Sequence, residues 1–274
     1  MTSNFNHAVR YTHYGMESQN RVWILHGIFG SRQNWGGFAR SMVKACPDLS
    51  VYTIDLLAHG DHPQHAHDYT IQACVQDLFD LSQVIGLPTT VIGHSFGGKV
   101  ALAYAHTYSS ALQHVWALDS SLDAKRQTSQ NEILDMIRLC RQTPMPQTTR
   151  KDFMQALQSQ GASLPVAQWM TTNLISTESG YQWRFKLDGI EELIHDYWNV
   201  DAWQLLDTFP KTTQAHLLRA EQGLRWTSEA VENIQKLTQT YSNLHEHILP
   251  QSGHWVHIDQ PKVLLTMIIQ HSLS

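Results

Sequence analysis

The segment from Thr89 to Ala105, "TTVIGHSFGGKVALAYA", restricts the fold more than any other part of the chain. Thr89, Thr90, Val91 and Ile92 form a short β-branched run. Val100, Leu102, Ala103 and Tyr104 then open an apolar face at helical spacing, so a strand gives way to a helix within a few residues. Ser95 stands in that turn with Gly93 and Gly97 as its second neighbours. The G-x-S-x-G spacing has a steric origin: a tight turn that holds a serine outward leaves no room for side chains two residues away. The helix also aims its first N–H groups at the serine, where negative charge is favoured.

Elsewhere short strand-like runs alternate with longer helical patterns, the mark of parallel βαβ units. "VRYTHYG", "RVWILHG", "SVYTIDLL", "LQHVWALDSS", "QAHLLRAE" and "LHEHILPQ" read as strands. "WGGFARSMVKAC", "TIQACVQDLFDLSQVIG", "SEAVENIQKLTQTY" and "PKVLLTMIIQHSL" read as helices. Between about residues 122 and 210 the alternation stops, and stretches such as "NEILDMIRLCRQ", "RKDFMQALQSQ" and "IEELIHDYWNV" predict helices without a convincing strand. The expected architecture is an α/β core formed by residues 1–121 and 211–274, with residues 122–210 as a helical cap.

Composition narrows the function. With 274 residues, 42% hydrophobic and 16% charged, the chain builds a large apolar core. A net charge of −5 without clustered lysines or arginines argues against nucleic acid. No apolar run approaches the ~20 residues that span a bilayer, and the N-terminus lacks the pattern of a signal peptide. No membrane association is expected. Three cysteines at unrelated spacings, Cys46, Cys74 and Cys140, suit reduced thiols in the cytoplasm.

Ligands of open parallel sheets gather where strand C-termini converge, so residues that end different strands meet there. Ser95 ends one strand, Asp119 ends the next, and His254 follows the last. The order Ser…Asp…His suits acyl transfer, because serine is a weak nucleophile unless an imidazole takes its proton. An oxyanion hole is also required. One donor is expected at Phe96, directly after the serine, and the other in the loop after "RVWILHG", with Ile28 favoured over Phe29. Histidine is abundant, at 17 residues, so the competitors need separate readings. The backbone of His94 should matter more than its ring, His257 reads as packing or surface, and His59 as a loop stabiliser. His62, His65 and His67 read as a polar loop, and no metal and no cofactor are expected.

"LHGIFGSRQNW", "GHSFGGK", "ALDSS" and "SGHWVHIDQP" together resemble the α/β-hydrolase fold enzymes, most closely the YbfF-type bacterial esterases and acyl-CoA esterases. The resemblance implies a mostly parallel central sheet flanked by helices, a helical cap, and esterase or thioesterase activity on acyl groups, including acyl-coenzyme A. One departure is visible: an Asp-x-Arg-x-His-Gly-x-Ser pattern appears here as "DLLAHGDH", with Leu57 at the arginine and His62 at the serine. A second concerns the acid. Many hydrolases of this fold carry it after the penultimate core strand, at the place of Gly223. Asp119 is therefore preferred, as the resemblance also implies, with Glu221 as the alternative and Asp123 third.

Phe29, Trp183, Trp198 and Trp255 are expected to line an apolar acyl pocket, with Trp169 and Trp203 as further candidates. The expected substrate is a small-molecule acyl ester or thioester, and the expected state a monomer or weak homodimer. Two rivals remain open: a C–C hydrolase or menaquinone-pathway lyase on the same fold, and a catalytically silent binding protein. Turnover of a simple aryl acetate separates them from an esterase.

Overall fold

The computed structural model describes residues 11–63, 68–124 and 130–273. The β-rich runs become β1 (Tyr11–Tyr14), β2 (Arg21–Leu25), β3 (Ser50–Ile54), β4 (Thr90–His94) and β5 (His114–Leu118). A hairpin of β6 (Leu174–Thr177) and β7 (Gly180–Trp183) follows, then β8 (Gln214–Ala220) and β9 (Leu244–Leu249). Of the first expected strand, Val9 and Arg10 lie outside the described residues. Seven strands form one sheet in the order β1-β3-β2-β4-β5-β8-β9, parallel throughout except that β1 runs antiparallel to β3.

Every residue of β3 and β4 is buried, as expected of parallel strands covered on both faces. Their side chains alternate between two apolar layers. Val22, Ile24, Val51 and Ile92 meet α1 (Gly36–Ala45). Trp23, Leu25, Tyr52 and Val91 face α2 (Ile71–Ile85) and α3 (Phe96–Thr107). Thr70 starts α2 by accepting the Ala73 N–H at 3.0 Å. Helix α3 is buried from Phe96 to Ala105, which explains an apolar sequence on all its sides.

Between β5 and β8 the chain leaves the sheet and forms α4 (Gln130–Gln142), α5 (Arg150–Ser159), α6 (Leu164–Met170), α7 (Leu187–Asn199) and α8 (Ala202–Asp207), together with the β6–β7 hairpin. The expectation of helices alone is corrected by that hairpin. Its strands are short, and Gly180 supplies the φ of 121° that lets the chain reverse. Trp183 stacks on Phe185 and meets Phe153 edge-on, which fixes the hairpin to α5. Lys99 of α3 ties this region to the core: its buried ammonium donates to the carbonyl oxygens of Asp123, Tyr197 and Val200 at 3.1, 2.9 and 2.8 Å. Burial brings its pKa down to about 7.

After β8 come α9 (Ser228–Thr240), α10 (Val256–Asp259) and α11 (Pro261–Ser272). Leu264 and Ile268 of α11 complete the layer that holds α1. Among the described residues, no helix is long and apolar enough to cross a membrane.

Candidate active site

Ser95 has φ 53° and ψ −115°, a conformation that costs a non-glycine residue about 1–3 kcal/mol. The surroundings impose it. A side-chain carbon on Gly93 would stand 2.0 Å from the Gly97 carbonyl oxygen, and one on Gly97 would stand 2.5 Å from that of His26. The Ser95 N–H donates to Leu118 O at 2.9 Å, and the Ser120 hydroxyl donates to Ser95 O at 2.7 Å, so β5 and its following loop hold the turn from one side.

Asp119 continues β5 at φ 44° and is fully buried. Its Oδ1 accepts the Ala220 N–H at 3.1 Å and its Oδ2 lies 2.7 Å from His254 Nδ1. Of the carboxylates considered, Asp119 makes the imidazole contact. Glu221 turns instead to the Gln251 N–H at 2.8 Å, and Asp123 accepts from Trp203 Nε1 at 2.7 Å. Gly223, where related folds carry an acid, comes within 3.2 Å of Asp119 Oδ1 measured from an added side-chain carbon. The two acid positions thus converge on one spot from neighbouring strands.

Burial lowers the pKa of His254 below the usual imidazole value; the Asp119 hydrogen bond works against that shift and the Arg225 charge adds to it. The ring is therefore neutral near pH 7. Arg225, in the loop between β8 and α9, points its Nε at His254 Nδ1 from 3.0 Å. A ring nitrogen that donates its proton cannot also accept one. The shorter, charge-assisted bond to Asp119 takes the Nδ1 proton and leaves Nε2 as the acceptor.

The ring of His94 departs from the sequence reading, which weighted its backbone. Its Nε2 donates to the carbonyl oxygen of His254 at 2.7 Å, and burial holds its pKa well below the usual value. His59 accepts the Phe29 N–H at Nε2 from 3.1 Å, and His26 accepts the Leu56 N–H at 3.1 Å. Both rings are buried and neutral, with pKa values near 3 and 4. His257 is buried and stacks on Trp35 at 4.0 Å. His62 engages Pro63 O at 2.9 Å and Asp77 at 3.1 Å, while His65 and His67 lie outside the described residues. Within "DLLAHGDH", Leu57 is buried, and Asp55 and Asp61 both pair with Arg32.

A cavity of about 300 Å³ opens over these groups. Ser95, His254, Ile28, Phe29, Trp169 and Trp255 line it, as do Ile133 and Met136 of α4. Trp183 and Trp198 do not line this cavity, which corrects their assignment. Trp183 packs against Phe153 and Phe185, and Trp198 is buried in the layer beside α2 and α3. Trp203 is taken by Asp123. Phe29, at φ 57°, presents its ring to the cavity while its N–H is committed to His59. Asn173 fixes the same loop by donating to Phe29 O at 2.8 Å. Phe96 opens α3, where first-turn N–H groups have no partner within the helix.

Comparison with known proteins places this arrangement. The profile described as "Alpha/beta hydrolase family" matches residues 24–266. The chain belongs to that family. Mouse "sn-1-specific diacylglycerol lipase ABHD11" is 27% identical over 249 residues, which cover 88% of this chain and 77% of the mouse protein. "Esterase YbfF" of Escherichia coli is 24% identical over 258 residues, 94% of each chain. The solved structure of a "Marine microorganism esterase" superposes with a TM-score of 0.81 at 24% identity, covering 96% of this chain and 98% of the other. This hydrolase therefore shares fold and family with proteins named as esterases and lipases.

Proposed function

We propose that the protein is a serine hydrolase that cleaves small acyl esters or thioesters through an acyl-enzyme on Ser95. The observation that carries this reading is the 2.7 Å contact between Asp119 Oδ2 and His254 Nδ1 beside a cavity that Ser95 also lines. With Nδ1 committed, Nε2 accepts the Ser95 proton as Oγ attacks the carbonyl carbon. The negative oxygen that forms is met by the N–H groups of Phe96 and Ile28, since that of Phe29 is engaged elsewhere. The tetrahedral species then collapses, and His254 returns its proton to the departing alkoxide or thiolate. Water activated by the same imidazole releases the acid.

An apolar wall of Ile28, Phe29, Ile133, Met136, Trp169 and Trp255 suits a short acyl chain, at the small end of ligand-pocket volumes. No cofactor or metal enters these steps. The three free thiols, two of them buried, suit a reducing compartment such as the cytoplasm. The test is turnover of p-nitrophenyl esters from acetate to decanoate, and of acyl-coenzyme A thioesters, by the wild type and Ser95→Ala. Turnover that requires Ser95 and favours short chains supports the reading. Equal rates for the two proteins overturn it.

A further inference from the structure

Arg225 has no place in the steps above, yet it stands inside the site. It lines the cavity with Ser95, and its Nε lies 3.0 Å from a ring nitrogen whose proton Asp119 already holds. The guanidinium thus faces an N–H it cannot bond to. Arg32, Arg141 and Arg219 each pair with a carboxylate, but among the described residues Arg225 forms no ion pair. Glu132, the other charged residue of the lining, is exposed on α4 and does not pair with it.

Asp119 favours an imidazolium at His254, and the Arg225 charge beside the same ring nitrogen opposes it. When His254 takes the serine proton, an imidazolium forms beside the guanidinium, and like charges at this separation repel. An anion on the guanidinium cancels that repulsion. We propose that Arg225 is a specificity residue that receives a carboxylate carried by the substrate itself, so that the preferred substrate is an anionic ester or thioester. This rests on Ser95 and His254 acting as nucleophile and base. Arginine suits the role, because its planar fork binds a carboxylate with two parallel hydrogen bonds. Arg225 and Ser95 line the same cavity of about 300 Å³, so one small substrate can present both its carboxylate and its scissile carbonyl there. It belongs either to the acyl group, as in a dicarboxylic monoester, or to the leaving group.

The test compares matched pairs that differ in one charge. Monoethyl succinate against ethyl butyrate probes the acyl side, and 3-acetoxypropionate against propyl acetate probes the leaving group. For at least one pair, kcat/KM of the wild type should favour the anionic member by about tenfold or more. That preference should collapse in Arg225→Gln and return in part in Arg225→Lys. On the neutral esters, the acid limb of kcat/KM should move to higher pH in Arg225→Gln, a change that a merely structural role would not produce. A wild-type ratio near one for both pairs, or a preference that survives in Arg225→Gln, overturns the assignment. Calorimetry with Ser95→Ala keeps the two readings distinct. Saturable binding of an anionic ester that is absent in Ser95→Ala/Arg225→Gln supports Arg225 even if no ester is hydrolysed, whereas no discrimination between charged and neutral ligands refutes it even if esters are cleaved.

Discussion

The ring of His94 donates to the backbone carbonyl of His254 at 2.7 Å, so the residue directly before Ser95 clamps the loop that carries the proposed base. Removing that donor leaves a part-buried carbonyl unpaired and frees the loop. His94→Phe should lower kcat by about 10–100-fold, a loss typical of a misplaced catalytic group. His94→Gln, which keeps a side-chain donor, should recover part of it. Steady-state kinetics of the two variants with one ester decides the point, and equal losses would mean that the ring contributes packing alone.

The strain at Ser95 gives a second expectation. Its φ of 53° is tolerated by glycine, so Ser95→Gly should be more stable than Ser95→Ala by about 1 kcal/mol, although both should be inactive. Thermal unfolding of the two variants under one condition measures the difference. Equal Tm values would mean that the turn stores little strain.

With His254 as the proposed base, its lowered pKa should set the pH dependence of rate. The imidazole must be neutral to accept a proton, so activity falls as pH drops through its pKa. The acid limb of kcat/KM should lie below the ordinary value of about 6.5. Asp119→Asn removes the bond that raises this pKa and should move the limb lower still. A limb above 6.5 in the wild type would contradict the burial argument.

Stability responds to a different set of histidines. On the sheet face under α11, His114 Nδ1 contacts His216 Nε2 at 3.1 Å and His216 Nδ1 contacts His247 Nε2 at 3.0 Å. Trp116 stacks on His216 at 4.2 Å, and the rings of His245 and His271 adjoin them. Burial and mutual repulsion depress His216 to about 2 and His247 to about 4, and lower His114 and His245. With folded values below the free value, the unfolded chain binds more protons, so this stability is complete above about pH 6.5 and is lost progressively as pH falls toward the folded values of about 4 for His247 and about 2 for His216. Tm should drop between pH 7 and 5, and drop less in His216→Gln. An unchanged slope in that variant would exclude the cluster as the cause.

Much of this site was legible because its signals are local. The G-x-S-x-G spacing, the strand-ending Asp119 and the glycine before His254 each carry their steric or chemical reason within a few residues. What escaped depends on contacts made only by folding. His94 and His254 are separated by 160 positions, and nothing near either one announces the bond. Arg32 pairs with Asp55 of "DLLAHGDH" across 23 positions, and neither segment announces the contact. The tryptophans show the same limit, because an amphipathic segment places a tryptophan inward whether it meets a ligand or another ring; Trp255 lines the cavity and Trp183 meets Phe185. Arg225 had one sequence signal, its place two residues after Gly223, where the usual acid is missing.

The role of Asp119 follows from its bond to Nδ1. A carboxylate there selects the tautomer with Nε2 free and stabilises the imidazolium. Asp119→Asn should therefore lower kcat by about 10⁴-fold, while Glu221→Gln, whose carboxylate holds only the Gln251 N–H, should keep most of the activity. Loss in Glu221→Gln with activity retained in Asp119→Asn would reverse the assignment.

Covalent labelling tests Ser95 as the nucleophile most directly. The wild type is incubated with a fluorophosphonate, weighed intact by mass spectrometry, and its labelled peptide sequenced. A single adduct on Ser95, formed much more slowly in Asp119→Asn and absent from Ser95→Ala, is the result predicted for a nucleophile activated by His254 and oriented through Asp119. An adduct of equal yield in Ser95→Ala, or no adduct on a folded wild type, would contradict it.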